Sequence, residues 1–177
     1  MGMPRSPGPV KLIAGLLASS DDLLAEARQV LSESFGPLDA CSAPSTWDFS
    51  SYYRDEMGDI IRRQFISFEK LIAADGLAES KQITNGMEGA WRTSSGRRVN
   101  IDPGYIAATK LVLASTKDAA HRVYLSGGIY AEATLHFSNG SFQPYAYSYR
   151  DYAAADAIAF FNRVRATYLA QLRATTD

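Results

Sequence analysis

The sequence predicts an α+β fold: a mainly antiparallel sheet with helices packed on one face. Three observations carry this. The chain opens with strand, amphipathic helix and break over its first 37 residues. Its last third holds three strand-like stretches joined by Gly127-Gly128 and Asn139-Gly140, dipeptides that supply the positive φ angles of tight hairpins. An amphipathic helix then closes the chain. The implied order is a β-α-β-β-α-β core followed by a three-stranded meander and a C-terminal helix.

Each element follows from local chemistry. Residues 1–9 are rich in Pro and Gly and read as a flexible leader, leaving 10–177 as a single α+β domain. Lys11 to Ala18 reads as a buried strand. Ser19 or Ser20 can cap the next helix, whose first turn carries Asp21 and Asp22 near the positive end of the dipole. Leu23, Leu24, Ala27, Val30 and Leu31 recur at helical spacing, and Phe35-Gly36-Pro37 ends the run. Leu38 to Ala43 and Ile60 to Leu71 read as strands, separated by an irregular loop of aromatic and charged residues. Asp75 to Trp91 reads as helix, weakened by Gly86 and Gly89. Arg97 to Asp102 alternates as a strand does. Tyr105 to Thr116 supports two readings. Asp102-Pro103 suits a helix start, whereas Leu111-Val112-Leu113 suits a strand; a short helix or turn is favoured. His121 to Leu125, Ile129 to Phe137 and Phe142 to Tyr147 form the meander. Tyr152 to Arg173 is the last helix, with Ile158, Phe161, Val164, Tyr168 and Leu172 inward.

Composition removes several function classes. Hydrophobic residues make up 46% of the 177, enough for a real core and far from the disordered regime. Eighteen Lys+Arg against 19 Asp+Glu leave no basic excess, so neither nucleic acid nor an anionic membrane is an expected partner. Cys41 is the only cysteine, which forbids an intramolecular disulfide and a Cys-rich metal site; it reads as a small, half-buried residue after a strand. The apolar run Leu12 to Ala18 is too short and too quickly followed by Asp21 and Asp22 for a signal peptide. A cytoplasmic location is expected.

Strand alternation sorts the candidate site residues by face. Arg98, Asn100 and Asp102 share one side, and Tyr130, Glu132, Thr134 and His136 share another, with Arg122 and Tyr124 beside them. His121 falls on the apolar side. Arg98 and Arg122 could clamp a phosphate or carboxylate, with Asn100 and Tyr130 completing the contacts. Asp102 and Glu132 could hold Mg²⁺, and these two with Glu56 are the candidate acids and bases. The loop around Tyr52, Tyr53, Asp55 and Glu56 would close over them. Any half-exposed sheet shows the same alternation, and Asp102 could simply cap a helix. Arg62-Arg63 and Arg97-Arg98 could add an anion patch. Tyr145, Tyr147, Tyr149 and Tyr152 could stack on bases, cover the core or bury a homodimer contact.

Seven blocks give the chain a recognisable signature. They are Tyr52 to Gly58, Arg63 to Phe68, Thr84-Asn85, Val99 to Tyr105, Lys110 to Asp118, His121 to Leu125 and Gly128 to Glu132. In this order the chain resembles the bacterial domain-of-unknown-function family numbered four-four-one-six, from Val10 to the last helix. The resemblance implies no activity and no site residue. Some members carry the label "GTP-binding protein", which does not transfer. The chain has no G-x-x-x-x-G-K-[ST] loop, and Ser115-Thr116-Lys117-Asp118 lacks the spacer of the T-K-x-D pattern.

Three functions are therefore open. One is a protein that binds, or binds and processes, a small phosphorylated or anionic ligand over the polar sheet face. Another is a non-enzymatic interaction module or homo-oligomer using the aromatic C-terminal region. RNA binding is the third, on strand order alone.

Overall fold

The computed structural model describes residues 2–49 and 53–175, the side chain of Asp55 excepted. The elements are β1 (Val10–Ala18), α1 (Asp21–Phe35), β2 (Leu38–Cys41), β3 (Ser45–Thr46), α2 (Arg54–Met57), β4 (Arg62–Ile72) and α3 (Leu77–Glu88). There follow β5 (Val99–Ile106), β6 (Lys110–Ser115), β7 (Val123–Ser126), β8 (Ile129–Ser138), β9 (Ser141–Pro144) and α4 (Ala155–Ala174). All nine strands join one antiparallel sheet in the order β2-β4-β1-β5-β6-β8-β7, with β3 on β4 and β9 on β8. The fold is α+β. Among the described residues, the two-residue β3 and the one-turn α2 are the elements between β2 and β4, so the β-α-β-β-α-β core stands.

The expected helix signals are present. Ser20 Oγ accepts from the Leu23 amide at 3.2 Å, and Gly36 ends α1 at φ 97°. The hairpin dipeptides take positive φ, 56° and 78° at Gly127-Gly128 and 51° and 81° at Asn139-Gly140.

The helices do not share one face. β1 is buried on both sides, and its alternation divides the core. Leu12, Ala14, Leu16 and Ala18 meet α1, together with Ile66, Phe68, Val99 and Ile101. Val112, Ala114 and Ile129 meet α3 on that same side. Ile13, Phe65, Leu113, Leu135 and Phe142 point the other way, into α4 through Phe160, Phe161, Val164 and Tyr168. β1, apolar and buried throughout except for the buried Lys11, needs cover on both faces, which a one-face arrangement cannot give.

The stretch from Tyr105 to Thr116 is extended, not helical. β5 runs through Ile106 and β6 begins at Lys110. Asp102 and Pro103 lie inside β5, so Asp102 caps no helix. β6 pairs with β5 only from Gly104 to Ile106, and the two strands part at Pro103. Proline has no N–H to continue a ladder, and strands with proline interiors commonly sit at an edge. Here the edge is local and internal. Side chains of α3 satisfy it: Glu88 Oε1 accepts from the Ile101 amide at 2.8 Å, and Lys81 Nζ donates to the Ile101 carbonyl at 2.7 Å.

Candidate functional site

The parting of β5 and β6 opens a cavity of about 400 Å³. β5 contributes Asn100 and Asp102, β6 and its exit contribute Leu113 to Lys117, and β8 contributes Glu132. Lys81, Asn85 and Glu88 reach it from α3, while Leu17, Arg63, Tyr149, Asp151 and Tyr152 close the α4 side. Trp47, Tyr53 and Arg97 complete the wall.

A register shift aims Glu132 into this space. Leu111 pairs with Leu135 but Val112 with Ala133, so Thr134 is an extra residue in β8. Leu135 and Glu132 thus both face α4, against the strict alternation expected. Glu132 Oε2 accepts from Arg122 Nε at 2.8 Å and lies 3.3 Å from His121 Nε2, and Thr134 Oγ1 donates to Oε1 at 3.1 Å. Arg122 Nη2 also donates to Tyr149 Oη at 2.6 Å. Asp102 accepts from Asn100 Nδ2 at 2.8 Å and from Lys81 Nζ at 3.4 Å.

Arg63 is also buried, 3% exposed, and its Nη2 lies 2.7 Å from Asp151 Oδ2. Its guanidinium carbon sits 4.5 Å and 4.8 Å from the ring centres of Phe65 and Tyr152. Burial works against this charge, but Asp151 and the nearby phenols outweigh it and hold the pKa above the ordinary guanidinium value. Gly15 makes the arrangement possible. A Cβ there would fall 2.3 Å from Tyr152 Oη and 2.9 Å from Arg63 Nη2, so only glycine leaves room for both.

Several donors are left without acceptors. Among the described residues, Arg63 Nε and Nη1, Tyr152 Oη and Trp47 Nε1 are buried with no hydrogen-bond partner, and all belong to side chains lining the cavity. A buried orphan donor costs on the order of 1–3 kcal/mol, so one cavity collecting several needs an explanation. Burial raises the pKa of Tyr152 well above the ordinary phenol value, and it does the same for Tyr53 and Tyr149. These phenols stay protonated near neutral pH and do not act as bases.

The expected site residues divide accordingly. Asn100, Asp102 and Glu132 line the cavity, and Arg122 stands behind Glu132. Arg98 is exposed and outside it: β5 begins only at Val99, so alternation does not extend back to Arg98. Arg97 takes its place, donating to Asn100 Oδ1 at 3.0 Å and Glu56 Oε2 at 2.9 Å. Glu56 is thereby a partner of Arg97, not a wall residue. Tyr130 is outside too, its ring 5.4 Å from Tyr124. His121 precedes β7 and turns toward Glu132, not the apolar side, with its ring stacked on Tyr147 at 4.3 Å. His136 is half-buried against Tyr145 rather than solvated, and Cys41 is exposed rather than half-buried. Tyr52 and the Asp55 side chain lie outside the described residues.

The two metal candidates, Asp102 and Glu132, both line the cavity. Among the described residues, no group of three or more His, Cys, Asp or Glu side chains could hold a metal ion. Asp102 and Glu132 each face a cation instead, Lys81 and Arg122. Sequence reasoning passed over Lys81, Glu88 and Asp151, and named Arg63 only as part of an anion patch with Arg62. One signal was available: Gly15, in the middle of an apolar strand, marks a close approach. The lysine and glutamate of α3 gave none, because their partner is a strand edge exposed only by the parting at Pro103.

No helix among the described residues is long and apolar enough to cross a membrane. No curated protein and no solved structure matches the chain. A family model described as "Domain of unknown function (DUF4416)" matches residues 8–168. Spanning nearly every element from β1 into α4, that match places the chain in this family, and it belongs to DUF4416.

Proposed function

We propose that this is a cytoplasmic protein whose cavity binds a small anionic molecule, a carboxylate or a phosphate ester. The supporting observation is the set of unpartnered buried donors on Arg63 and Tyr152. Donors without acceptors favour a ligand that supplies oxygens, and a guanidinium anchored by Asp151 is preorganised to receive them. A cavity of about 400 Å³ lies within the usual range for small-molecule sites. Glu132 and Asp102 are the groups placed to move a proton on a bound ligand, should the protein be an enzyme.

Isothermal titration with a panel of carboxylates and phosphate esters tests this. Arg63→Lys keeps a cation for Asp151 but removes Nε and Nη1, and should weaken binding about tenfold or more while the protein stays folded. Equal affinity in both proteins, or no binding by any anion, would reject the proposal.

A second reading has support from another place. β7 ends the sheet with Val123 69%, Tyr124 57% and Leu125 40% exposed, and carries no charged or proline residue to blunt its edge. On this reading β7 of one copy pairs with β7 of another. The aromatic C-terminal region contributes less than expected, since Tyr152 is core and Tyr149 lines the cavity. Light scattering that finds only monomer would remove this reading. RNA binding is the weaker third reading, because helices cover the central strands on both faces.

A further inference from the structure

The charges around the cavity are balanced, and their spacing narrows the ligand class. Its wall carries four cationic side chains, Arg63, Lys81, Arg97 and Lys117, and four carboxylates, Glu88, Asp102, Glu132 and Asp151. A site built for a bare dianion carries an excess of positive charge; this one does not. The carboxylates also differ in how open they are. Asp102, with Lys81 3.4 Å away, is 29% exposed, whereas Glu88, Glu132 and Asp151, also paired with cations, are only 8%, 1% and 11% exposed. Asp102 is therefore the acceptor presented to the cavity.

Its position relative to the donors follows from register. Asp102 pairs directly with Gly15, and it is above Gly15 that Tyr152 Oη and Arg63 Nη2 converge. Directly paired residues share a sheet face and stand about 5 Å apart. An open acceptor thus lies roughly one strand spacing from the unpartnered Tyr152 Oη and beside the guanidinium of Arg63, whose Nη2 is held by Asp151 while Nε and Nη1 have no partner. Trp47, Tyr53 and Tyr149 supply ring surface around them, which suits an alkyl or aromatic body and also the face of a cation.

We propose that the ligand is a compact zwitterion of the α-amino-acid kind, its acid group on Arg63 and Tyr152 and its ammonium on Asp102. This rests on the anion-binding reading above and adds the second, cationic contact. A longer zwitterion would overshoot Asp102, and an acid without an amine would add nothing to the Asn100 and Lys81 contacts that Asp102 already has.

The test offers matched twins to the wild-type protein by titration calorimetry. A panel of α-amino acids is compared with the same acids lacking the amine, for example phenylalanine beside 3-phenylpropionate. At least one amino acid should bind about tenfold tighter than its twin, the order of one charge-assisted contact. In Asp102→Asn that ratio should fall toward one, with thermal unfolding confirming that the variant is folded. Twins that bind wild type equally would overturn the zwitterion and leave the anion reading standing. If neither twin binds, nor any phosphate ester, both readings fall together. The wild-type comparison needs no variant, so a misfolded Asp102→Asn does not shelter the proposal.

Discussion

Tyr152 carries one atom with nothing to bond and a ring that packs on Phe161 and Phe65. Tyr152→Phe separates the two. The free protein should keep its stability or gain up to about 1 kcal/mol, because a buried unsatisfied hydroxyl is removed. Affinity for the anion should fall about tenfold. Urea unfolding and titration on the same preparation check both. Lys11 is the opposite case. It is fully buried, bonded to Asp39 and, at 2.8 Å, to Gln171 Oε1, while Ser67 Oγ donates to Asp39 at 2.5 Å. Lys11→Met should cost about 3 kcal/mol in urea unfolding, because Asp39 loses its cation. Unchanged stability would show that the network contributes nothing. Glu88 adds a pH signature. Burial raises its carboxyl pKa above the ordinary 4.5, with Lys81 and the Ile101 amide opposing. The folded protein then holds this proton more tightly than the unfolded chain. The associated stability is present below pH 4.5 and is lost as pH rises through the folded value. Glu88→Gln should flatten that decline in urea midpoints taken across the interval.

At the scale of elements, the decisive feature is the parting of β5 from β6 at Pro103. It makes room for the cavity and exposes the backbone edge that Lys81 and Glu88 satisfy. Gly15 sets the floor. Gly15→Ala should cost about 1–3 kcal/mol, since Tyr152 Oη is fixed within a packed ring and cannot retreat freely, and ligand affinity should fall with it. Thermal unfolding and titration measure both effects. The same parting explains what the sequence left obscure. Asp102-Pro103 carries the local chemistry of a helix start, and only tertiary pairing with β1 holds it extended. The hairpins at Gly127-Gly128 and Asn139-Gly140 were legible because their backbone demands are local. Asn100, Asp102 and Glu132 were legible because each sits inside a strand. Arg98 and His121 were misplaced because each lies just outside one, where alternation no longer governs direction.

For the whole molecule, helices on both faces cover the central strands, and a polar hollow lies within the sheet. An apolar β1 flanked by β4 and β5 was visible in the sequence; which helix covers which side was not, since that depends on how distant segments cross. Charge count suggested a protein without electrostatic bias, and the cavity repeats that balance locally, with acids and bases interleaved. The account depends on the hollow being a receptor for oxygen acceptors. A high-resolution crystal structure grown with the tightest-binding acid tests it most directly. The prediction is density for the acid group within about 2.7–3.2 Å of Tyr152 Oη and of Arg63 Nε or Nη1. Density showing those atoms satisfied by protein groups or water alone, with the acid bound elsewhere, would contradict it.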